Sequence, residues 1–291
     1  HRSGGHGHNH HHHGGGGERA KSNDSVRSIS EEGKHYPKFN FEERARGNLQ
    51  AEPDQALYNR YTPISRLGKG VYAKVIQAFD QTTTSSVALK IFRGGETYTQ
   101  AAMEEMAVLE RLQKSSNGND YCYLGFNNFI TGQIPHYAIS FPICGPSIFD
   151  VLRQNTLRIR NKQSSATSAG MPLDVVRSMM FQLLRFVCYS SSVGIIHTDI
   201  KPENILFAGN IPFVQTANGQ LRPSNSGIKV IDMGNAIMVN SIDSSLPPNT
   251  PVDCQTRHYR APEVALDSKH FSYAIDIWSV ATMVPELLSG E

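Results

Sequence analysis

In the stretch Ile195-Ile196-His197-Thr198-Asp199-Ile200-Lys201-Pro202-Glu203-Asn204, an Asp is followed two residues later by a Lys and five residues later by an Asn. A carboxylate can accept or orient the proton of a hydroxyl group. An ammonium beside it can neutralise a migrating phosphoryl group, and an amide oxygen can bind a magnesium ion. Together these are the polar groups needed to move the γ-phosphoryl of Mg·ATP onto a hydroxyl, with Asp199 as base, Lys201 as counter-charge and Asn204 on the metal. His197 and Glu203 read instead as structural members of the same loop.

Other segments are spaced to serve the same chemistry. Gly68-Lys69-Gly70-Val71-Tyr72-Ala73-Lys74-Val75 reads as a glycine-rich hairpin turn whose backbone N–H groups can approach a triphosphate while Val75 covers the base. Such turns are common, so this segment alone says little. Val87-Ala88-Leu89-Lys90 follows on a strand, where residues two apart share a face. Ala88 can then pack on adenine while Lys90 reaches the α and β phosphates. Lys90 needs a carboxylate partner, and Glu104 and Glu105 compete for that place. Glu105 shares a helix face with Ala101, Leu109 and Leu112, which makes it the expected partner; Glu104 falls beside Val108 and Arg111, towards water. Between His136 and Asp150, Phe141 is expected as the gatekeeper. The carbonyl of Pro142 and the N–H of Cys144 would read the adenine edge, and a proline keeps the carbonyl required there. Asp232-Met233-Gly234 ends an apolar strand, where the hard carboxylate oxygens of Asp232 suit a magnesium ion. Thr256 could hydrogen-bond Asp199 and Lys201.

The elements that must position these groups follow from periodicity. Arg60 to Phe79 and Ser86 to Phe92 alternate polar and apolar residues as half-buried strands do. Thr97 to Gln113 reads as a helix, as does Leu173 to Val193, with Val176, Met180, Leu183, Leu184 and Val187 expected on one face. Asn155 to Gly170 reads as a polar insertion, and Phe207 to Gly227 as a loop rich in Asn, Gly, Pro and Ser. Strands first and helices afterwards predict an α+β fold.

Bulk properties narrow the function classes. Apolar residues at 39% of 291 can fill a core, and a formal charge of +2 gives no reason to expect nucleic acid or a polybasic membrane anchor. Cys122, Cys144, Cys188 and Cys254 are scattered, which fits a reducing compartment. No apolar run approaches the ~18 residues of a membrane span. A soluble, intracellular monomer is expected. Residues 1–57 are rich in His, Gly, Ser, Asn and charge and read as a disordered arm; the His-Gly stretch from His1 to Gly17 could also bind divalent metal. Both ends look cut. Pro285 sits badly within the last helix.

Along the chain, Gly68–Val75, Val87–Lys90, Ile195–Asn204, Asp232–Gly234 and a segment from Thr256 that ends in Ala261-Pro262-Glu263 resemble the motifs of eukaryotic protein kinases in their order, over roughly Tyr61 to Gly290. Three features are similar to the LAMMER (CDC-like) kinases of the CMGC group and to the neighbouring SR-protein kinases. They are Tyr98 with Ala101-Ala102 ahead of Glu105, the His197-Thr198-Asp199 triplet, and Thr256-Arg257-His258-Tyr259-Arg260. The polar 207–227 loop favours LAMMER, while Ile200 and Gly234-Asn235-Ala236 lean towards SR-protein kinases. The resemblance implies a bilobal fold, with a small antiparallel-sheet lobe at about 58–143 and a helical lobe at about 144–291, incomplete at its end. It implies that Asp276 holds the backbone of the Asp199 loop, and that Ile275, Trp278, Val280, Met283 and Leu287 would lack the cover that further helices give. It adds Leu67 and Leu206 to the ATP-contacting set. It also implies a serine/threonine kinase, with dual specificity as a family trait, that uses ATP and Mg2+. Arg-Ser-rich splicing factors would be its substrates and the nucleus or nucleocytoplasm its residence. A catalytically dead ATP-binding scaffold is the competing reading. Most kinases carry Arg where Thr198 stands and use it to bind an activation-loop phosphate, so activity independent of such a phosphate is expected.

Overall fold

The computed structural model describes residues 60–115, 136–209, 212–239, 254–266 and 271–291. The arm at 1–57, Cys122 and the serines at 241, 244 and 245 lie outside the described residues.

The alternating residues at the start fold into an antiparallel sheet of β1 (Tyr61–Lys69), β2 (Ala73–Asp80), β3 (Ser85–Phe92) and β4 (Ala138–Pro142), in that order. Val75 pairs with Lys90 and Ala88 with Phe141, and facing residues of a pair point the same way. Val75, Ala88, Lys90 and Phe141 therefore share one face. Ile76, Leu89, Ile91 and Ala138 occupy the other and pack with Tyr61 and Ala78 into a small core. Pro142 ends the edge strand β4, where a missing N–H is tolerated.

Helix α1 (Glu96–Ser115) crosses from the sheet, burying Ala102, Glu105, Val108, Leu109 and Leu112 as a stripe at helical spacing. Helix α2 (Ile148–Arg160) begins at a capping box. The Ser147 Oγ accepts from Asp150 N at 3.0 Å, and the Asp150 carboxylate accepts from Ser147 N at 3.1 Å. This helix corrects the expectation of a polar insertion from Asn155. Asn155 is fully buried, and its side chain bonds the backbone of Ala169 and Leu221.

Helix α3 (Leu173–Ser192) matches its expected span, but its inner face is rotated. Val175, Val176, Met179, Leu183, Phe186 and Val187 are buried, whereas Met180 is half-buried and Leu184 is exposed. Short strands follow: β5 (Ile195–Ile196), β6 (Ile205–Phe207), β7 (Phe213–Gln215), β8 (Leu221–Pro223), β9 (Ile228–Val230) and β10 (Ile237–Met238). The expected loop at 207–227 thus contains a hairpin, β7–β8, fastened to Asn155 and to Arg158, whose Nε donates to Gly219 O at 2.7 Å. A short α4 (Pro262–Ala265) precedes α5 (Ala274–Ser289).

The last helix also differs from expectation. Ile275, Val280, Met283 and Leu287 are buried within the described chain, and Trp278, with Ile277, remains exposed. Met283 and Leu287 pack in the main core with α3, and Ile275 packs with Ile196, Val264 and Phe271. The segment before α3 closes over the far end of α5. Met171 N donates to Leu287 O at 2.7 Å, and a Cβ on Gly170 would lie 2.0 Å from Leu288 O, so only glycine fits there. Pro285 sits on an exposed part of the helix, which continues through it.

Candidate active site

Two polar clusters form where the sheet meets the helical part. The first centres on Lys90, which β3 directs to the same face as Ala88 and Val75. Its ammonium lies 2.8 and 2.7 Å from the two carboxylate oxygens of Glu105 and 2.9 Å from Asp232 Oδ1. Glu104 stays at the surface, bonded by the Gln100 amide at 2.7 Å. Burial pulls the Lys90 pKa down, but the charges of Glu105 and Asp232 outweigh it and the net shift is upward. Burial raises Glu105 against the pull of Lys90. These directions oppose each other across one pair. An ammonium within 2.8 Å of both carboxylate oxygens favours the charged form of both. Asp232 is lowered: burial pushes it up, and Lys90 overrides that.

Asp232 adopts a left-handed backbone, φ 68°, at the end of β9, which aims its carboxylate at Lys90. Gly234 was missed as a site residue. A Cβ there would lie 3.2 Å from Glu105 Oε2 and 3.4 Å from Asp232 Oδ1, so its lack of a side chain lets the turn close on the cluster. Its proximity to Asp232 in sequence was the available signal.

The second cluster is built on the loop between β5 and β6. Asp276, at the start of α5, is fully buried and accepts from the backbone N–H of His197 at 2.7 Å and Thr198 at 2.9 Å. Burial raises its pKa against the opposing effects of His197 and those two bonds. His197 is buried, with its ring bonded to Ile231 O at 3.1 Å and to Asp199 N at 3.2 Å. Thr198 has φ 67°, a costly conformation for a β-branched residue, and its hydroxyl donates to Asn235 O at 2.8 Å. Held this way, Asp199 Oδ2 receives the Lys201 ammonium at 2.7 Å and Oδ1 receives the Thr256 hydroxyl at 2.7 Å. Lys201 also donates to Thr256 at 2.9 Å. Asn204 donates its amide N–H to Asp199 O at 2.9 Å, which leaves its oxygen for other work. A cavity of about 380 Å³ opens beside Asp199 and Thr256, lined also by Glu104, Thr198 and Gln255.

Of the expected nucleotide-contacting residues, Val75, Ala88 and Phe141 share the sheet face of Lys90. Gly68 pairs with Val75, and Gly70 N closes the turn onto Ala73 O at 2.8 Å. Leu67, just before, is exposed. Beyond Phe141 and Pro142, the chain is tied to β6. Gly145 N donates to Phe207 O at 2.8 Å, and Ser147 bridges to Leu206, so Cys144 and Leu206 come to the same edge. Burial pushes the Cys144 thiol up, against a backbone bond from Gly209. The donor set also fits a hard cation, since Asp232 and Asn204 offer oxygen ligands of the kind magnesium takes.

The protein kinase domain model matches residues 61–291. The serine/threonine-protein kinase AFC3 of Arabidopsis thaliana is 36% identical over 244 residues, covering 81% of this chain and 56% of its own length. The dual specificity protein kinase CLK2 of Homo sapiens is 33% identical, covering 86% of this chain and 47% of its own. For lkh1 of Schizosaccharomyces pombe, a dual specificity protein kinase, the figures are 30%, 84% and 33%. The chain therefore spans little more than half of AFC3 and less of the others. A crystal structure of a kinase domain superposes with a TM-score of 0.67 at 24% identity, covering 84% of this chain and 69% of that one, which speaks for the fold alone. The sheet on a helical body, the two polar clusters and a family match along 61–291 lead to one placement: the chain belongs to the protein kinase domain family, alongside LAMMER (CDC-like) kinases of the CMGC group.

Proposed function

We propose that this chain carries the catalytic machinery of an ATP-dependent protein serine/threonine kinase of LAMMER type. The observation that supports it best is the joint approach of Lys201 and Thr256 to Asp199, at 2.7 Å each, within the same fold as the Lys90–Glu105–Asp232 cluster. In this reading the 58–143 part receives ATP and the 144–291 part receives the protein hydroxyl.

Leu67, Gly68, Gly70, Val75, Ala88 and Leu206 enclose the nucleotide, and Phe141, Pro142 and Cys144 read the adenine edge. Lys90, fixed by Glu105, orients the α and β phosphates. Asp232 and Asn204 would hold the divalent cation, magnesium on the strength of its oxygen donors; when bound it neutralises phosphate charge. Asp199 accepts the proton of the substrate hydroxyl as that oxygen bonds to the γ-phosphorus and the bond to ADP breaks. Lys201, beside Asp199, counters the charge on the transferring group. Serines in Arg-Ser-rich splicing factors are the proposed acceptors, with a nuclear or nucleocytoplasmic setting. Among the described residues no helix is long and apolar enough to cross a membrane.

Regulation follows from Thr198. Thr198 supplies no guanidinium where most kinases carry Arg, so an activation-loop phosphate lacks that partner. Activity should survive phosphatase treatment.

The test is phosphate transfer from Mg·ATP to an Arg-Ser repeat peptide, with Asp199→Asn as control. Transfer by the wild type that vanishes in the control supports the reading. If neither transfers to that peptide or to a generic basic substrate, while Mg·ATP still raises the melting temperature, the chain is a nucleotide-binding scaffold and the reading is wrong.

A further inference from the structure

The residue before Thr256 is a buried glutamine. Gln255 is 6% exposed and adopts φ 63°, the left-handed region that a residue with a Cβ occupies at a cost. Such strain persists where the surroundings over-determine it. Here they do. The side-chain amide donates to Ile275 O at 2.8 Å and to Ser279 Oγ at 2.7 Å, and its oxygen accepts from Ala261 N at 2.9 Å. Ser279 passes the network on, donating to Tyr259 O at 2.8 Å. The Gln255 carbonyl is also taken, by the Arg260 guanidinium at 2.9 and 3.2 Å.

The two nearest acceptors of the amide N–H groups lie on one element. Ile275 and Ser279 belong to α5, and between them stands Asp276, which holds the backbone of His197 and Thr198. One helix therefore grips both sides of the reacting centre: the Asp199 loop through Asp276, and the Thr256 segment through Gln255. The Thr256–Asp199 bond of 2.7 Å closes the triangle. We infer that Gln255 is a positioning residue for phosphate transfer, fixing Thr256 against α5 so that its hydroxyl aims Asp199 and Lys201 at the acceptor. The inference rests on the kinase reading. A leucine or methionine would fill the same space, but it would leave the Ala261 N–H without its acceptor and Ser279 Oγ without its donor.

Because Gln255 would act only through Thr256, the decisive experiment is a double-mutant cycle in the full chain with Gln255→Met, Thr256→Ala and the pair. The readouts are kcat, the peptide KM and the ATP KM. Gln255→Met should lower kcat about 10- to 100-fold through misplacement of the reacting groups, with the ATP KM held within about two-fold. Added to Thr256→Ala, it should cost less than about two-fold more. Losses of equal size with and without Thr256, or an unchanged kcat in Gln255→Met, would overturn the inference while leaving the kinase reading intact. A wild type silent on every hydroxyl substrate would overturn both. Should Gln255→Met melt without cooperativity, Ser279→Ala takes its place in the cycle; it removes one acceptor of the amide and is read by the same criteria.

Discussion

Glu105 and Asp276 are both buried carboxylates, yet they hold their regions by different means. In the sheet region, Glu105 pairs with the side-chain ammonium of Lys90, which Asp232 shares from across the molecule. In the helical region, Asp276 accepts the backbone N–H groups of His197 and Thr198. A side-chain ion pair can part when its helix moves, because each partner can find water or another charge. A carboxylate holding backbone N–H groups cannot let go without unmaking the loop. The nucleotide side is thus fastened by contacts able to break, and the chemical side by contacts that stay.

Asp276→Ala should show the permanent kind most clearly. Two buried N–H groups would be orphaned at about 1–3 kcal/mol each, and Thr198 would lose what compensates its strained backbone. A loss of up to about 6 kcal/mol is expected in urea unfolding, with activity abolished. Asp276→Ala that melts like the wild type would mean the loop is held elsewhere.

Lys90→Met strikes the other region. It leaves Glu105 buried without its partner, at about 3–5 kcal/mol when the carboxylate is charged. Glu105 is already pushed above its ordinary value of 4.5 by burial, and losing Lys90 pushes it further. A folded-state pKa above the unfolded one means the folded state holds the extra proton. The variant should therefore be near wild-type stability at about pH 4 and lose stability as pH rises above it. Adding Glu105→Gln should restore stability at neutral pH but not phosphate transfer. If the double variant is as unstable as Lys90→Met, the cost does not come from an unpaired carboxylate.

Neighbouring glutamates sharpen the same contrast. Glu105→Gln should lower kcat/KM about 10²-fold or more by loosening Lys90, while Glu104→Gln should stay within about two-fold. An equal loss in both would show that the helix face does not select the partner.

The choice of Glu105 was legible because α1 is apolar on one side only, so spacing alone places Glu105 on the buried stripe and Glu104 outside it. In α3 the same logic failed. Met179, Met180, Phe181, Leu183, Leu184, Phe186 and Val187 run almost all round the helix, and residue type cannot say which of them faces inward; Leu184 is exposed. Asn155 misled for the opposite reason. A polar residue in a polar stretch reads as solvated, but this one is buried because it satisfies the backbone of a hairpin 66 residues away. Gln255 was silent in the sequence because its partners, Ile275 and Ser279, meet it only through the fold. Local groups spaced for chemistry can be read in order along a chain, whereas groups that hold them depend on long-range packing.

The smallest effect lies in a side-chain pair in the sheet region that has no reason to break. Arg60 Nε and Nη2 reach the two Asp80 oxygens at 2.7 and 2.6 Å, and Asp80 also accepts from Thr82 N and Thr83 Oγ1 in the turn to β3. The Arg60 hydrogen bond, more than any opposing burial, lowers Asp80 from its ordinary 3.8 to about 2. A depressed folded-state pKa gives stability that is fully present above the unfolded value and fades as pH falls through the folded one. Asp80→Asn should therefore melt about 2–4 °C below the wild type near pH 6, if the pair contributes on the order of 1 kcal/mol. The gap should narrow below pH 4 and close towards pH 2. As with Lys90→Met, the gap should widen from pH 4 to pH 6, but here for want of a negative charge and there for excess of one. A gap that stays constant across this range would show that Asp80 acts through its turn hydrogen bonds and not through its charge.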